Sequence, residues 1–128
     1  MKNLQPLLFL FFSIFFISCG MDNARIHNEA FVADTHNDVL LRSLTGRNIL
    51  SDLPESHSDL PKFKDGGVDL QVFSIWVSPS EFKGSYYDRA NTMITQLEYL
   101  CSRVPDQWAI PFNYQDIVYN DQKAILSC

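Results

Sequence analysis

Apolar and polar positions fall into blocks along the chain, and the spacing within each block predicts an element. The first block, Leu7 to Ile17, is Leu, Phe and Ile interrupted by Ser13, with Lys2 ahead of it. About 11 apolar residues fall short of the roughly 20 that a membrane-spanning helix needs. The length, the preceding charge and the small residues that follow are those of an export signal. Ala30-Phe31-Val32-Ala33 is a short apolar run ending in Asp34, which predicts a buried strand. A short helix is expected from about Val39 to Leu44, with Gly46 as its terminator. Ser58-Asp59 is expected to cap a helical turn that contains Pro61 and closes at Gly66-Gly67. From Val68 to Val77 the apolar positions are nearly continuous, which predicts a strand covered on both faces.

The longest helix is expected from about Tyr87 to Val104. Ala90, Met93, Ile94, Leu97, Leu100, Cys101 and Val104 recur there at three-and-four spacing, and Pro105 stops it. Asn113 is expected to cap a further helix through about Tyr119, and Ala124-Ile125-Leu126 to begin a third strand. Strands alternating with helices imply right-handed parallel crossovers, as in an α/β sheet or a (β/α)8 barrel. About three strands are predicted, whereas a complete barrel takes about 250 residues. The expectation is therefore an incomplete N-terminal portion of a TIM-type barrel over 30–128, preceded by a signal peptide at 1–18 and a linker at 19–29.

Composition and charge narrow the function classes. With 46% hydrophobic and 20% charged residues, the chain has the make-up of a globular protein rather than a disordered one. A net charge of -5 argues against nucleic acid as a partner, since phosphate neutralisation requires an excess of Lys and Arg on one face. The longest basic cluster is only Lys62 and Lys64.

Cysteine usage bears on location. Phe16-Ile17-Ser18-Cys19-Gly20 resembles the lipobox of bacterial lipoproteins, in which the Cys becomes the lipidated N-terminus. Phe16 stands where Leu is usual. Polar Asp22 and Asn23 follow, so Cys19 is read as a lipidation site and the protein as exported and held to a bacterial membrane by its acyl chains. The alternative is a plain secretory signal with an incidental Cys. Cys101 and Cys128 then remain, too few for a disulfide framework and not at zinc-knuckle spacing. Cys101 lies on an apolar helix face and is expected as a buried thiol. Neither reads as a nucleophile.

Candidate chemistry sits where the first strand ends. In Asp34-Thr35-His36-Asn37-Asp38, His36 and Asp38 stand at i and i+2, on one face of an extended chain. An imidazole nitrogen and a carboxylate oxygen can there share a divalent ion, and bound zinc lowers the pKa of its water. Manganese or cobalt would suit the same two ligands. A second triplet, His57-Ser58-Asp59, lies in a polar capping stretch and is read as structural. Trp76, Tyr86, Tyr87 and Trp108 are read as core or surface cover rather than pocket lining.

The pattern extends beyond His36 and Asp38. Asp34 to Asp38 resembles the Asp-Gly-His-x-Asp opening of the membrane (renal-type) dipeptidase family. Asp59-Leu60-Pro61-Lys62-Phe63-Lys64-Asp65-Gly66-Gly67-Val68 resembles that family's turn before its second strand. Gln71 to Val77 and Lys123 to Ser127 resemble its second strand and the start of its third. The resemblance implies a (β/α)8-barrel zinc peptidase that hydrolyses dipeptides, some members cleaving β-lactams. It also implies two zinc ions sharing a bridging carboxylate and a bridging water or hydroxide. His36 and Asp38 match two ligands of the first zinc. The bridging Glu, in a Gly-x-Glu-Gly-Gly-His segment, and the remaining ligands, substrate-binding residues and proton donor lie later in such proteins. No catalytic residue is therefore expected among these residues, and the chain alone is expected to be inactive. Thr35 replaces the usual Gly, and Val39-Leu40-Leu41 lacks a Pro and an aromatic found in many members, which leaves substrate preference open. The alternatives are another barrel metallohydrolase or a non-catalytic surface lipoprotein; oligomeric state is not read.

Overall fold

The computed structural model describes residues 23–80 and 82–128. The signal run at 1–18 and Cys19 lie outside the described residues. The chain divides between Ala30 and Phe31. Helix α1 (Asn23–Glu29), in the stretch expected as linker, buries none of its residues and carries an Arg25–Glu29 ion pair one turn apart. No helix among the described residues is long and apolar enough to cross a membrane.

From Phe31 onwards the protein is α/β. Strands β1 (Ala33–Asn37), β2 (Leu70–Phe73), β3 (Trp108–Ala109) and β4 (Leu126–Ser127) form a parallel sheet in the order β1-β2-β4-β3. They are linked through α2 (Leu40–Ser43), α3 (Leu60–Asp65), α4 (Tyr86–Arg103) and α5 (Tyr114–Gln122). With β3 set aside, β1, β2 and β4 stand side by side in chain order.

Capping sets the helix limits. Asp59 caps α3, accepting the Lys62 amide at 2.9 Å, and Pro61 occupies the first turn, where its missing N–H costs nothing. Gly67, at φ +64, provides the left-handed residue that ends the turn. Ser85 caps α4 through the Asp88 amide. Asn113 and Asp116 cap α5 reciprocally: Asn113 Oδ1 accepts the Asp116 amide, and Asp116 Oδ2 accepts the Phe112 amide.

One side of the sheet carries the core. Phe73 meets Phe63 and Trp108 edge-on, at ring separations of 6.1 and 5.4 Å. Leu40, Ile49, Met93, Leu100 and Leu126 complete the cluster, the apolar stripe of α4 supplying Met93 and Leu100. Adjacent strand residues face opposite ways, so Leu126 enters this core while Ser127 turns away. There its hydroxyl accepts a hydrogen bond from Asn120 of α5.

The strands differ from their predicted limits for one reason: pairing, not apolarity, defines them. The first strand, expected to end at Asp34, runs to Asn37 because Asp34 pairs with Gln71 and Asn37 with Phe73 across an irregularity in register. The second is confined to Leu70–Phe73. Val72 is 45% exposed and Leu70 half-buried, so this strand is fully covered on one face and only partly on the other, against the expectation of two. The last starts at Leu126, after Ala124 takes a left-handed φ of 54 to leave α5. The two-residue β3 was not predicted, being too short to carry any period.

Candidate metal site

Local hydrogen bonds shape the end of β1. The Asp34 carboxylate accepts the His36 backbone N–H at 3.1 Å, and this bond holds its carboxyl below the usual range against a smaller opposing effect of burial. Asn37 Oδ1 accepts the Val39 amide at 2.9 Å, turning the chain into α2. The Asn37 carbonyl accepts from Ser74, closing the ladder against β2. The flanking side chains are left free to project: His36 and Asp38 are 70% and 57% exposed, and His36 Nε2 lies 3.6 Å from Asp38 Oδ2.

That separation suits a shared ion. Two ligand atoms each about 2.0 Å from a tetrahedral zinc lie about 3.3 Å apart, so a slight turn of either side chain suffices. The predicted pair is therefore brought together. No group of three or more His, Cys, Asp or Glu side chains converges to hold a metal among the described residues.

Beside Asp38 is a shallow pocket of about 170 Å³ lined by Asn37, Asp38, Val39, Arg42, Ser56, His57 and Ser58. It brings the second triplet against the first, with Asn37 Nδ2 donating to Ser58 Oγ at 3.1 Å. Within that triplet Asp59 is fully buried. Its carboxylate accepts the amides of Leu53 and Lys62 and pairs with the Lys62 ammonium. Burial pushes the Asp59 carboxyl up, but Lys62 and the two amides outweigh it and hold the group below its ordinary value. Asp59 is thus spent on capping, as read, while exposed His57 faces the pocket.

Two contributors were missed in the sequence. Asn37, between His36 and Asp38, both starts α2 and bridges to Ser58. Gln71, buried in β2, donates to the Asp34 carbonyl at 3.3 Å and so ties β2 to the strand that carries His36. Its Oε1 has no partner. An Asx-type turn at Asn37 was a readable signal, whereas nothing in an apolar run marks one Gln as a strand tie.

A His among the last residues of a parallel strand and a carboxylate just beyond it stand at the C-terminal edge of the sheet, where α/β enzymes gather their reactive groups. The chain belongs to the membrane dipeptidase family (peptidase family M19), whose family model matches residues 21–127. That match takes in β1 to β4 and both His-x-Asp triplets. No curated protein matches the chain significantly.

Proposed function

We propose that this protein carries the first-strand portion of a zinc-dependent dipeptidase, in which His36 Nε2 and Asp38 Oδ2 hold one edge of the metal centre. The observation that carries this reading is the 3.6 Å separation of those atoms at the end of β1, in a chain of the membrane dipeptidase family. Bound zinc would polarise a peptide carbonyl and lower the pKa of its water. The chain's own contribution is positional. Asp34 fixes the backbone of His36, and Asn37 fixes the turn into α2, so that both ligands project together. In this reading β1, β2 and β4 are neighbouring strands of a (β/α)8 barrel, and the substrate is a dipeptide.

A catalytic zinc normally takes three protein ligands and a water. With two identified, the 128-residue chain is expected to release no amino acids from a simple dipeptide in excess zinc. The second reading is a non-catalytic surface lipoprotein. The two readings separate in a chimera whose equivalent segment, in an active member of the family, is replaced by residues 30–127. The dipeptidase reading expects zinc-dependent hydrolysis that falls at least about 100-fold in His36→Ala or Asp38→Asn. Activity indifferent to both substitutions would overturn it.

The anchor is a separate proposal: Cys19 is acylated and tethers the exported chain to a bacterial membrane. Labelled palmitate should enter the wild-type chain and not Cys19→Ser; equal labelling of the two contradicts it.

A further inference from the structure

Cys101 and Cys128 lie 27 positions apart in sequence, yet their sulfur atoms are 3.3 Å apart. Each is placed by a different element. Cys101 is 7% exposed on the buried stripe of α4. Cys128 follows β4 directly: its amide donates to the Ala109 carbonyl at 3.0 Å, and its thiol lies 3.5 Å from the same oxygen. Both are free thiols, in van der Waals contact. A disulfide requires about 2.0 Å between sulfurs, so the remaining approach is of the order of 1 Å, within reach of small side-chain rotations.

We propose that Cys101 and Cys128 form a redox-active dithiol that exchange with a small-molecule disulfide converts into an intramolecular disulfide, tying α4 to the end of β4. One cysteine thiolate attacks the external disulfide, forming a mixed disulfide and releasing one small thiolate. The second cysteine thiolate then attacks the protein sulfur of that bond and expels the other. In balance, two protein thiols become one disulfide and the external disulfide becomes two thiols, with no other oxidant. Contact with Cys128 holds the Cys101 thiol below its ordinary value and pushes Cys128 up, which favours a thiolate on α4. The inference goes beyond the dipeptidase reading and is independent of it, since neither cysteine lines the pocket beside Asp38.

The test is peptide mapping of the full chain after equilibration in reduced and oxidised glutathione, with remaining thiols alkylated before trypsin. The expected product joins peptide 90–103 to peptide 124–128 and is released by reductant. In 6 M guanidinium the effective concentration of one thiol at the other should fall at least about 100-fold, because the fold no longer holds them together. The oxidised chain should also gain on the order of a few hundred-fold in its folding equilibrium, from the closed loop. Cys128→Ser should leave Cys101 as a glutathione adduct or a free thiol. The proposal is overturned if both cysteines are alkylated under native oxidising conditions. Linkage as efficient in guanidinium as in buffer, or either cysteine paired with Cys19 instead, also overturns it.

Discussion

The two His-x-Asp triplets are one sequence pattern in two structural settings. In His36-Asn37-Asp38 the carboxylate is 57% exposed and lies against its own histidine, past the end of a strand. In His57-Ser58-Asp59 the carboxylate is fully buried, caps α3 and pairs with Lys62. A carboxylate that already accepts two amides and an ammonium, and is closed off from solvent, is committed to the cap and is not presented to a metal. An exposed carboxylate at a strand end is open to it. At the same spacing from a histidine, then, one carboxylate is committed to a cap and the other is left exposed.

The comparison can be broken most forcefully at Asp59. Asp59→Ala removes the α3 cap and leaves the Leu53 and Lys62 amides without their acceptor, at an expected cost of about 2–4 kcal/mol in urea unfolding. Asp38→Ala in the same assay should shift stability by no more than about 0.5 kcal/mol. Equal losses would erase the distinction.

Acid titration sharpens it. The folded Asp59 carboxyl is held below its value of 3.8, so its stabilising contribution is full above that pH and is lost as pH falls through the folded value. Lys62, raised above 10.5 chiefly by Asp52 and Asp59, contributes below that pH and loses its contribution as pH rises through the folded value. The stability gap between wild type and Asp59→Asn should therefore be flat between about pH 5 and 9 and narrow below pH 4. A gap that widens in acid contradicts the assignment.

Asn37→Ala, which cuts the link from the first triplet to Ser58 and the turn into α2, should cost about 1 kcal/mol in urea unfolding. The smallest effect is expected at His57: replacement by Ala should change stability by less than about 0.5 kcal/mol, as for an exposed side chain.

How legible all this was depends on the kind of signal. Caps were readable because they are local: Asp59 with Pro61, and Asn113, each sit one turn from the amide they accept. The extent of α4 was readable to within a residue at each end, from the stripe that buries Met93 and Leu100. The His36–Asp38 geometry was also readable, because extended backbone puts i and i+2 on one face. Strand limits were not, since they follow partners far along the chain. Asp34 and Asn37 belong to β1 only because Gln71 and Phe73 lie beside them. For the same reason the sequence concealed β3, the Gln71 tie, the contact between the triplets and the approach of Cys101 to Cys128.

We propose that His36 and Asp38, rather than the second triplet, are where this chain meets a metal. Zinc affinity measured by competition with a chromophoric chelator tests it directly across wild type, His36→Ala, Asp38→Asn and His57→Ala. The expected result is weak binding, about micromolar or poorer as befits two ligands, that disappears in the first two variants and persists unchanged in the third. Binding that survives His36→Ala, or that His57→Ala abolishes, would contradict it.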